Sequence, residues 1–247
     1  MHRNYFLPML GLAFLLCGSA LPNKEVEGVF DTCRQLVVVV SSKDRSVKAR
    51  LFRFERSGEK WRQVDRPHPV NLGKKGLAWG RGMQSAKPGL QKKEGDQRSP
   101  AGIFRFGTAF GYAKEGVLPL KLPYVPITEA EICVEDSNSR YYNQLVNVTQ
   151  VPQDWKARES MLRTDEQYKW GIVVKQNMPA EPEGGSCIFF HLWRAPGSGT
   201  LGCTAMAEDN LLSLIQWLDP QKKPLLMQMT MANYRDYQRK FSLPVIY

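Results

Sequence analysis

The chain has 247 residues, with 34 Lys and Arg against 24 Asp and Glu, which gives a formal net charge of +10 at pH 7. Hydrophobic residues make up 43% and charged residues 23%. These ordinary globular proportions exclude a disordered chain, a collagen and a multispanning membrane protein. The length is enough for one large domain or two small ones with a real core.

The first twenty residues have the pattern of a cleaved secretory signal peptide. Arg3 supplies the positive end, an apolar run follows over residues 6–17, and small residues end the segment at Ala20. The run is too short to span a bilayer as a helix. We therefore expect export across the inner membrane into the periplasm or cell wall, with no stable membrane span after cleavage. Lipoprotein processing at Cys17 stays open, although Leu16 stands where such sites carry a small residue.

Runs rich in β-branched and aromatic residues recur along the rest of the chain and predict strands. They are Gln35–Ser41, Lys48–Glu55, Lys60–Val64, Gly102–Phe106, Trp170–Gln176, Cys187–Trp193 and Leu225–Thr230. The segment Arg56–Glu59 predicts a hairpin turn. Only Glu208–Leu218 has a convincing helical pattern, which Asp219 and Pro220 end.

This order of elements favours a mainly β, α+β fold over a doubly wound sheet, because no regular helix separates each pair of strands. No repeat or long linker divides the chain, so we expect one domain over residues 21–247. Residues 114–167 are the most polar and least regular stretch and predict a long insertion of the kind that is commonly functional.

Four cysteines remain after the predicted cleavage, and an oxidising compartment favours disulfides among them. Cys33 and Cys133 could pair or could be two unpaired buried thiols. Cys187 lies four residues before His191, so strand alternation predicts that both share a face. Cys187 would then pack beside the histidine or act as a redox partner of Cys203.

The three histidines leave one candidate for a catalytic base. His2 leaves with the signal peptide and His68 stands between two prolines, whereas His191 ends a predicted strand. Cys203 follows Gly202 and shortly precedes the predicted helix, a position that suits a nucleophilic thiol. Gly202 would let a backbone N–H serve an oxyanion hole. A structural His191 with a disulfide-bonded Cys203 is the alternative, and two mature histidines disfavour a zinc site, so we expect no metal.

Two segments resemble a known family. His191–Met206 resembles the catalytic signature of bacterial L,D-transpeptidases of the YkuD type, in which a His precedes a Ser/Thr-x-Gly-Cys segment. Lys93–Phe104, read as KEGDQRSPAGIF, is similar to that family's GD..TPxGxF segment. The resemblance covers about residues 33–230. It implies a β-sandwich or barrel domain of this family, with a helix after the catalytic cysteine.

The resemblance also implies an activity on peptidoglycan stem peptides, with no cofactor. Cys203 would form a thioester with loss of D-alanine, and His191 would accept and then donate the proton. The N–H groups of Gly202 and Cys203 would stabilise the oxyanion. Transfer to the amine of another stem would give a 3→3 cross-link, and a carbapenem would acylate Cys203. With an export signal, the basic charge points to anionic wall components rather than to nucleic acid.

The chain departs from the family pattern close to the cysteine. Leu192 replaces a common Gly, Thr200 replaces a Ser, and Ala205 stands where many members have an Arg. Arg194 or Arg98 would have to replace that Arg in binding a substrate carboxylate.

The departures and the polar insertion leave several functions open. Tyr142, in the polar and aromatic segment 136–143, would line the substrate or simply pack. An L,D-carboxypeptidase, another wall amide hydrolase on the same thiol, and a non-catalytic peptidoglycan-binding protein remain alternatives. The oligomeric state is not predicted.

Overall fold

The computed structural model describes residues 24–246, and the predicted signal peptide lies outside them. The helices are α1 (Lys24–Thr32), α2 (Glu208–Trp217) and α3 (Met231–Phe241), with a short 3₁₀ helix at Pro220–Lys222. The strands are β1 (Gln35–Ser41), β2 (Lys48–Ser57), β3 (Lys60–Gln63), β4 (His68–Asn71), β5 (Leu77–Trp79), β6 (Ser99–Gly111), β7 (Tyr124–Pro126), β8 (Glu131–Val134), β9 (Leu145–Asn147), β10 (Arg158–Ser160), β11 (Trp170–Val174), β12 (Phe189–Leu192), β13 (Thr204–Met206) and β14 (Leu225–Thr230). The prediction of a mainly β, α+β fold is confirmed.

The main sheet closes on itself. Its strands follow the order β1, β14, β6, β11, β12, β13, β4 and β2, and β2 pairs back onto β1. β3 extends this barrel from β2 through a two-residue hairpin turn, as the Arg56–Glu59 segment predicts, and β5 and β7 pair with β6. Closure leaves these eight strands without a free edge.

Two apolar cores lie on opposite faces of β1, which explains why all seven of its residues are buried. Val37 and Val39 face the barrel interior, where α2 also contributes Leu214. Leu36 and Val38 face outward and pack with residues of α3. An uninterrupted run of β-branched residues suits a strand covered on both sides.

The segment 114–167, expected to be irregular, contains four short strands. β7 joins the barrel, and β10, β8 and β9 form a separate three-stranded antiparallel sheet. Strands of three or four residues are too short to show a period-two pattern in sequence, so the expectation missed them. We call β8, β9 and β10 the small sheet.

The strand predicted at Cys187–Trp193 is shorter than expected. Cys187 has a φ of +53°, a left-handed conformation that interrupts a strand, and β12 begins only at Phe189. Strand alternation therefore does not extend to Cys187, although Cys187 and His191 line the same cavity. None of the helices in residues 24–246 combines the length and apolar character that crossing a membrane requires.

Candidate active site

The barrel brings Cys203 and His191 onto neighbouring strands. β12 and β13 run parallel, and His191 pairs with Ala205. Cys203 directly precedes β13 and lies two residues before Ala205, so alternation directs it to the same face of the sheet as His191. Both side chains line one cavity of about 470 Å³.

The segment before Cys203 is held by hydroxyl groups. Thr200 Oγ1 donates to the Cys203 carbonyl at 2.6 Å and accepts from the Gly202 N–H at 3.1 Å. Ser99 Oγ donates to the same carbonyl at 2.9 Å. Since Ser99 belongs to the Lys93–Phe104 motif, the two motifs found in the sequence meet at the backbone of Cys203.

The Cys203 thiol is buried, with 8% of the residue exposed. Its Sγ accepts from the Phe189 N–H at 3.3 Å and donates to the Cys187 carbonyl at 3.5 Å. Burial, reinforced by the charge of Glu159, raises the pKa of Cys203 to about 12. The thiol is therefore neutral at rest near neutral pH.

His191 is equally enclosed, with 5% of the residue exposed. Its Nδ1 lies 2.7 Å from the carbonyl oxygen of Leu192. Because a carbonyl only accepts, Nδ1 carries the proton and Nε2 holds the free lone pair. Burial lowers the pKa of His191 to about 4. Tyr168 packs edge-on against the imidazole, with ring centroids 5.3 Å apart.

Charges of both signs line the cavity. Three are carboxylates, Glu94, Glu135 and Glu159, and four are cations, Lys74, Lys92, Arg163 and Arg194. Burial, with the charges of Glu159 and Glu94, raises the pKa of Glu135 to about 7. No group of three or more His, Cys, Asp or Glu side chains in the described range is arranged to hold a metal ion.

Three further predicted site residues line the cavity: Thr200 and Arg194, expected to bind substrate, and Gly202, expected to form the oxyanion hole. Thr200 lines the cavity, and Arg194 lines its rim, where Nη2 lies 3.2 Å from a carboxylate oxygen of Asp165. Gly202 lines the cavity too, but its N–H donates to Thr200 rather than pointing freely at a substrate.

Two other predicted residues do not line the cavity. The Arg98 guanidinium donates to the carbonyls of Lys75 and Leu77, so it is not placed to replace the missing Arg. Tyr142 is buried, and its hydroxyl donates to Glu94 at 2.5 Å. Both side chains are thus held by partners inside the protein, as buried polar groups usually are. The expectation that they face a substrate is therefore corrected for both residues.

Sequence reasoning missed several groups around the thiol. Glu159 and Tyr168 bond to each other, with Tyr168 Oη donating to Oε1 at 2.6 Å, and neither carried a local motif. Lys92 directly precedes the Lys93–Phe104 motif, and its Nζ pairs with Asp96 of that motif at 2.5 Å. The motif was therefore the one sequence signal that could have pointed to Lys92. His68 begins β4 and pairs with Asp65 at 2.7 Å, outside the cavity.

The cysteines resolve the open pairings. Cys133 and Cys187 form a disulfide, whereas Cys33 and Cys203 are free and buried. Pairing of Cys33 with Cys133 is therefore wrong, as is Cys187 as a free redox partner of Cys203. The alternative of a disulfide-bonded Cys203 is also wrong.

Comparison with known proteins gives one family match. The profile of the YkuD L,D-transpeptidase catalytic domain matches residues 35–227. Bd1075 of Bdellovibrio bacteriovorus is 14% identical, with a TM-score of 0.40, over 85% of this chain and 55% of that chain. The helical cell shape determining protein Pgp2 of Campylobacter jejuni is 16% identical, with a TM-score of 0.36, over 80% and 48%. The chain thus spans about half the length of these proteins, and no curated protein matches it significantly.

Proposed function

We propose that this chain, which belongs to the YkuD family of L,D-transpeptidase catalytic domains, forms 3→3 peptidoglycan cross-links through a thioester on Cys203. The observation that carries the proposal is the position of a free thiol and a neutral imidazole in one cavity, on the same face of adjacent parallel strands. That arrangement suits nucleophilic catalysis by a base-assisted thiol.

In the proposed acylation step, Nε2 of His191 takes the thiol proton as Sγ of Cys203 attacks the carbonyl of the L-centre of the diamino acid in a stem tetrapeptide. The bond to the terminal D-alanine then breaks, and His191 returns the proton to the departing amine. Because burial disfavours both the thiolate and the imidazolium, proton transfer accompanies attack instead of preceding it. The Phe189 N–H supports the negative charge that develops on sulfur.

In the proposed transfer step, the side-chain amine of a second stem attacks the thioester. His191 takes a proton from this amine and delivers it to the departing sulfur, so the free thiol is restored. At rest the Gly202 N–H donates to the Thr200 hydroxyl. In this scheme it must break that hydrogen bond before it can donate to the oxyanion. Attack by water in place of the amine would make the protein an L,D-carboxypeptidase.

The test is incubation of the purified protein with tetrapeptide-stem muropeptides and mass spectrometry of the products. We expect cross-linked dimers that have lost D-alanine. Cys203→Ala should abolish them, and Cys33→Ala, which alters a buried thiol outside the cavity lining, should not. Tripeptide monomers alone would replace the transpeptidase with a carboxypeptidase, and unchanged substrate would contradict both.

Reaction with a carbapenem is an independent test of the same thiol. We expect a covalent adduct on the peptide that contains Cys203 and none in Cys203→Ala. An unmodified mass after prolonged incubation would contradict a family-like site.

We also propose that the protein acts outside the cytoplasm, where peptidoglycan lies. The signal-peptide pattern of residues 1–20 supports this location. The N-terminal sequence of the exported protein tests it, and retention of residues 1–20 on a cytoplasmic protein would contradict it.

A further inference from the structure

The disulfide joins two parts of the molecule that meet at the active-site cavity. Cys133 lies in β8 of the small sheet, and Cys187 lies in the segment just before β12. The two cysteines are 54 residues apart in sequence. They belong to the same buried cluster as Cys203, so the bridge lies beside the thiol rather than at the periphery.

The backbone of Cys187 contacts the thiol directly. Its carbonyl accepts from Cys203 Sγ, and its N–H donates to the side-chain oxygen of Asn143 at 3.0 Å. The Asn143 amide in turn donates to the carbonyls of Gln176 and Asn177. Cys187 holds a left-handed conformation that non-glycine residues rarely adopt. Such a conformation persists only where its surroundings impose it.

The small sheet also carries charged groups into the cavity. Glu135 directly follows β8, Glu159 lies in β10, and both line the cavity. In the described part of the chain, no strand of the small sheet pairs with a barrel strand. Non-covalent contacts such as the Tyr168–Glu159 hydrogen bond join the two sheets, and the disulfide adds a covalent link.

We propose that the Cys133–Cys187 disulfide is a positioning element of the catalytic site. It holds the small sheet against the barrel, and it sets the Cys187 carbonyl where it receives the Cys203 thiol. Its effect on turnover rests on the function proposed above, whereas its effect on the environment of the thiol does not.

The experiment compares the wild-type chain with the Cys133→Ser/Cys187→Ser double variant. A single substitution would leave a free thiol beside Cys203, so both cysteines are replaced. Alkylation of Cys203 by iodoacetamide is followed against pH by peptide mass spectrometry, and turnover is measured on tetrapeptide-stem muropeptides. Thermal unfolding of each protein shows whether the fold is kept.

We expect the double variant to be alkylated at least tenfold faster at pH 8, with the pH profile shifted to lower pH, because solvent reaches the thiol. Turnover of muropeptides should fall at least tenfold, since the carbonyl that orients the thiol is no longer held. Cys33→Ala, the matched control, should keep the wild-type alkylation profile and turnover.

Wild-type alkylation and turnover in the folded double variant would overturn the proposal. A change in Cys203 alkylation without a change in muropeptide turnover, or the reverse, would overturn it as well. The proposal requires both to change together, whereas a bridge that merely stabilises the fold would not link them. If the wild-type protein does not turn over muropeptides, the proposed function is contradicted. The alkylation profiles alone would then test whether the disulfide positions the Cys203 thiol. If the double variant does not fold, folded wild-type protein treated with a water-soluble phosphine replaces it. The phosphine takes its oxygen from one water molecule and becomes the oxide, while the disulfide, with the two protons of that water, becomes two thiols. Peptide mass spectrometry distinguishes alkylation of these thiols from alkylation of Cys203.

Discussion

Burial sets the protonation states of Cys203 and His191. Cys203 and His191 are enclosed enough that each prefers its neutral form, with pKa values moved away from neutrality in opposite directions. The backbone supplies the polar contacts, from the Phe189 N–H to Sγ and from Nδ1 to the Leu192 carbonyl. The pair is therefore a thiol and an imidazole at rest rather than an ion pair.

The lowered pKa of His191 predicts an acid-sensitive stability. Between pH 6.5 and 4 the unfolded imidazole binds a proton that the folded one does not, so stability rises with pH across this window. From pH 7 to pH 4.5, His191 should account for a loss of about 2–3 kcal/mol. Urea unfolding at both pH values, beside His191→Gln, measures it. Equal losses in the two proteins would contradict a buried neutral imidazole.

Glu159 should suppress the reactivity of the thiol. Its charge raises the pKa of Cys203, so Glu159→Gln should lower that pKa and speed alkylation by iodoacetamide severalfold at pH 9. The replacement amide oxygen still accepts the Tyr168 hydroxyl, which keeps the local packing. Glu208→Gln, whose carboxylate pairs with Lys169, is the matched control. A rate that does not rise in Glu159→Gln would count against this electrostatic effect.

At the scale of elements, the Thr200 hydroxyl holds the end of the loop between β12 and β13. Thr200 donates to the Cys203 carbonyl and accepts from the Gly202 N–H. It thus ties Thr200 to Gly202 and Cys203, the two residues that directly precede β13. The Ser-to-Thr departure from the family pattern keeps this hydroxyl.

Removal of that hydroxyl should loosen the loop. We expect Thr200→Ala to cost about 1 kcal/mol of unfolding free energy and to slow muropeptide turnover, because the Cys203 backbone loses one of its two hydroxyl donors. Thr200→Ser should restore both quantities. Urea unfolding and product analysis measure them, and a Thr200→Ala protein that behaves as wild type would show that Ser99 alone holds the segment.

At the scale of the whole molecule, α2 closes one core together with the barrel strands. Leu211, Leu214 and Ile215 are fully buried and share a cluster with Val39 of β1 and Phe190 of β12. β12, which carries His191, and β13, which directly follows Cys203, therefore rest on the same core as this helix. Loss of the contacts between α2 and the barrel strands should therefore lower the free energy of unfolding of the whole domain.

Leu214→Ala should destabilise the protein by about 2–5 kcal/mol, because it leaves a cavity in this core. Val117→Ala, at a side chain 62% exposed, should change stability by less than about 0.5 kcal/mol. Chemical unfolding followed by circular dichroism compares them. A small effect of Leu214→Ala would mean that α2 is not part of the core that supports the site.

Sequence alone predicted much of the barrel, because strands such as β1 and β14 are rich in apolar residues, with four consecutive valines in β1. It missed α3, where Tyr234 and Tyr237 are the buried side chains of a mostly polar helix. It also missed β8 to β10, whose three or four residues carry no periodic signal. It pointed to Cys203 and His191, which share one cavity, because each lies in a local motif. It could not show that Arg98 and Tyr142 lie outside the lining of this cavity, because side-chain direction depends on distant partners.

The sequence by itself determined the family, the mainly β fold and the two residues proposed to react, since each follows from residues adjacent in the chain. Only the tertiary structure decided that Cys133 pairs with Cys187, that Glu135 and Glu159 enter the cavity, and that Cys203 and His191 are neutral at rest. Disulfide pairing and pKa depend on distances between groups far apart in sequence and on their removal from water, which local patterns do not encode.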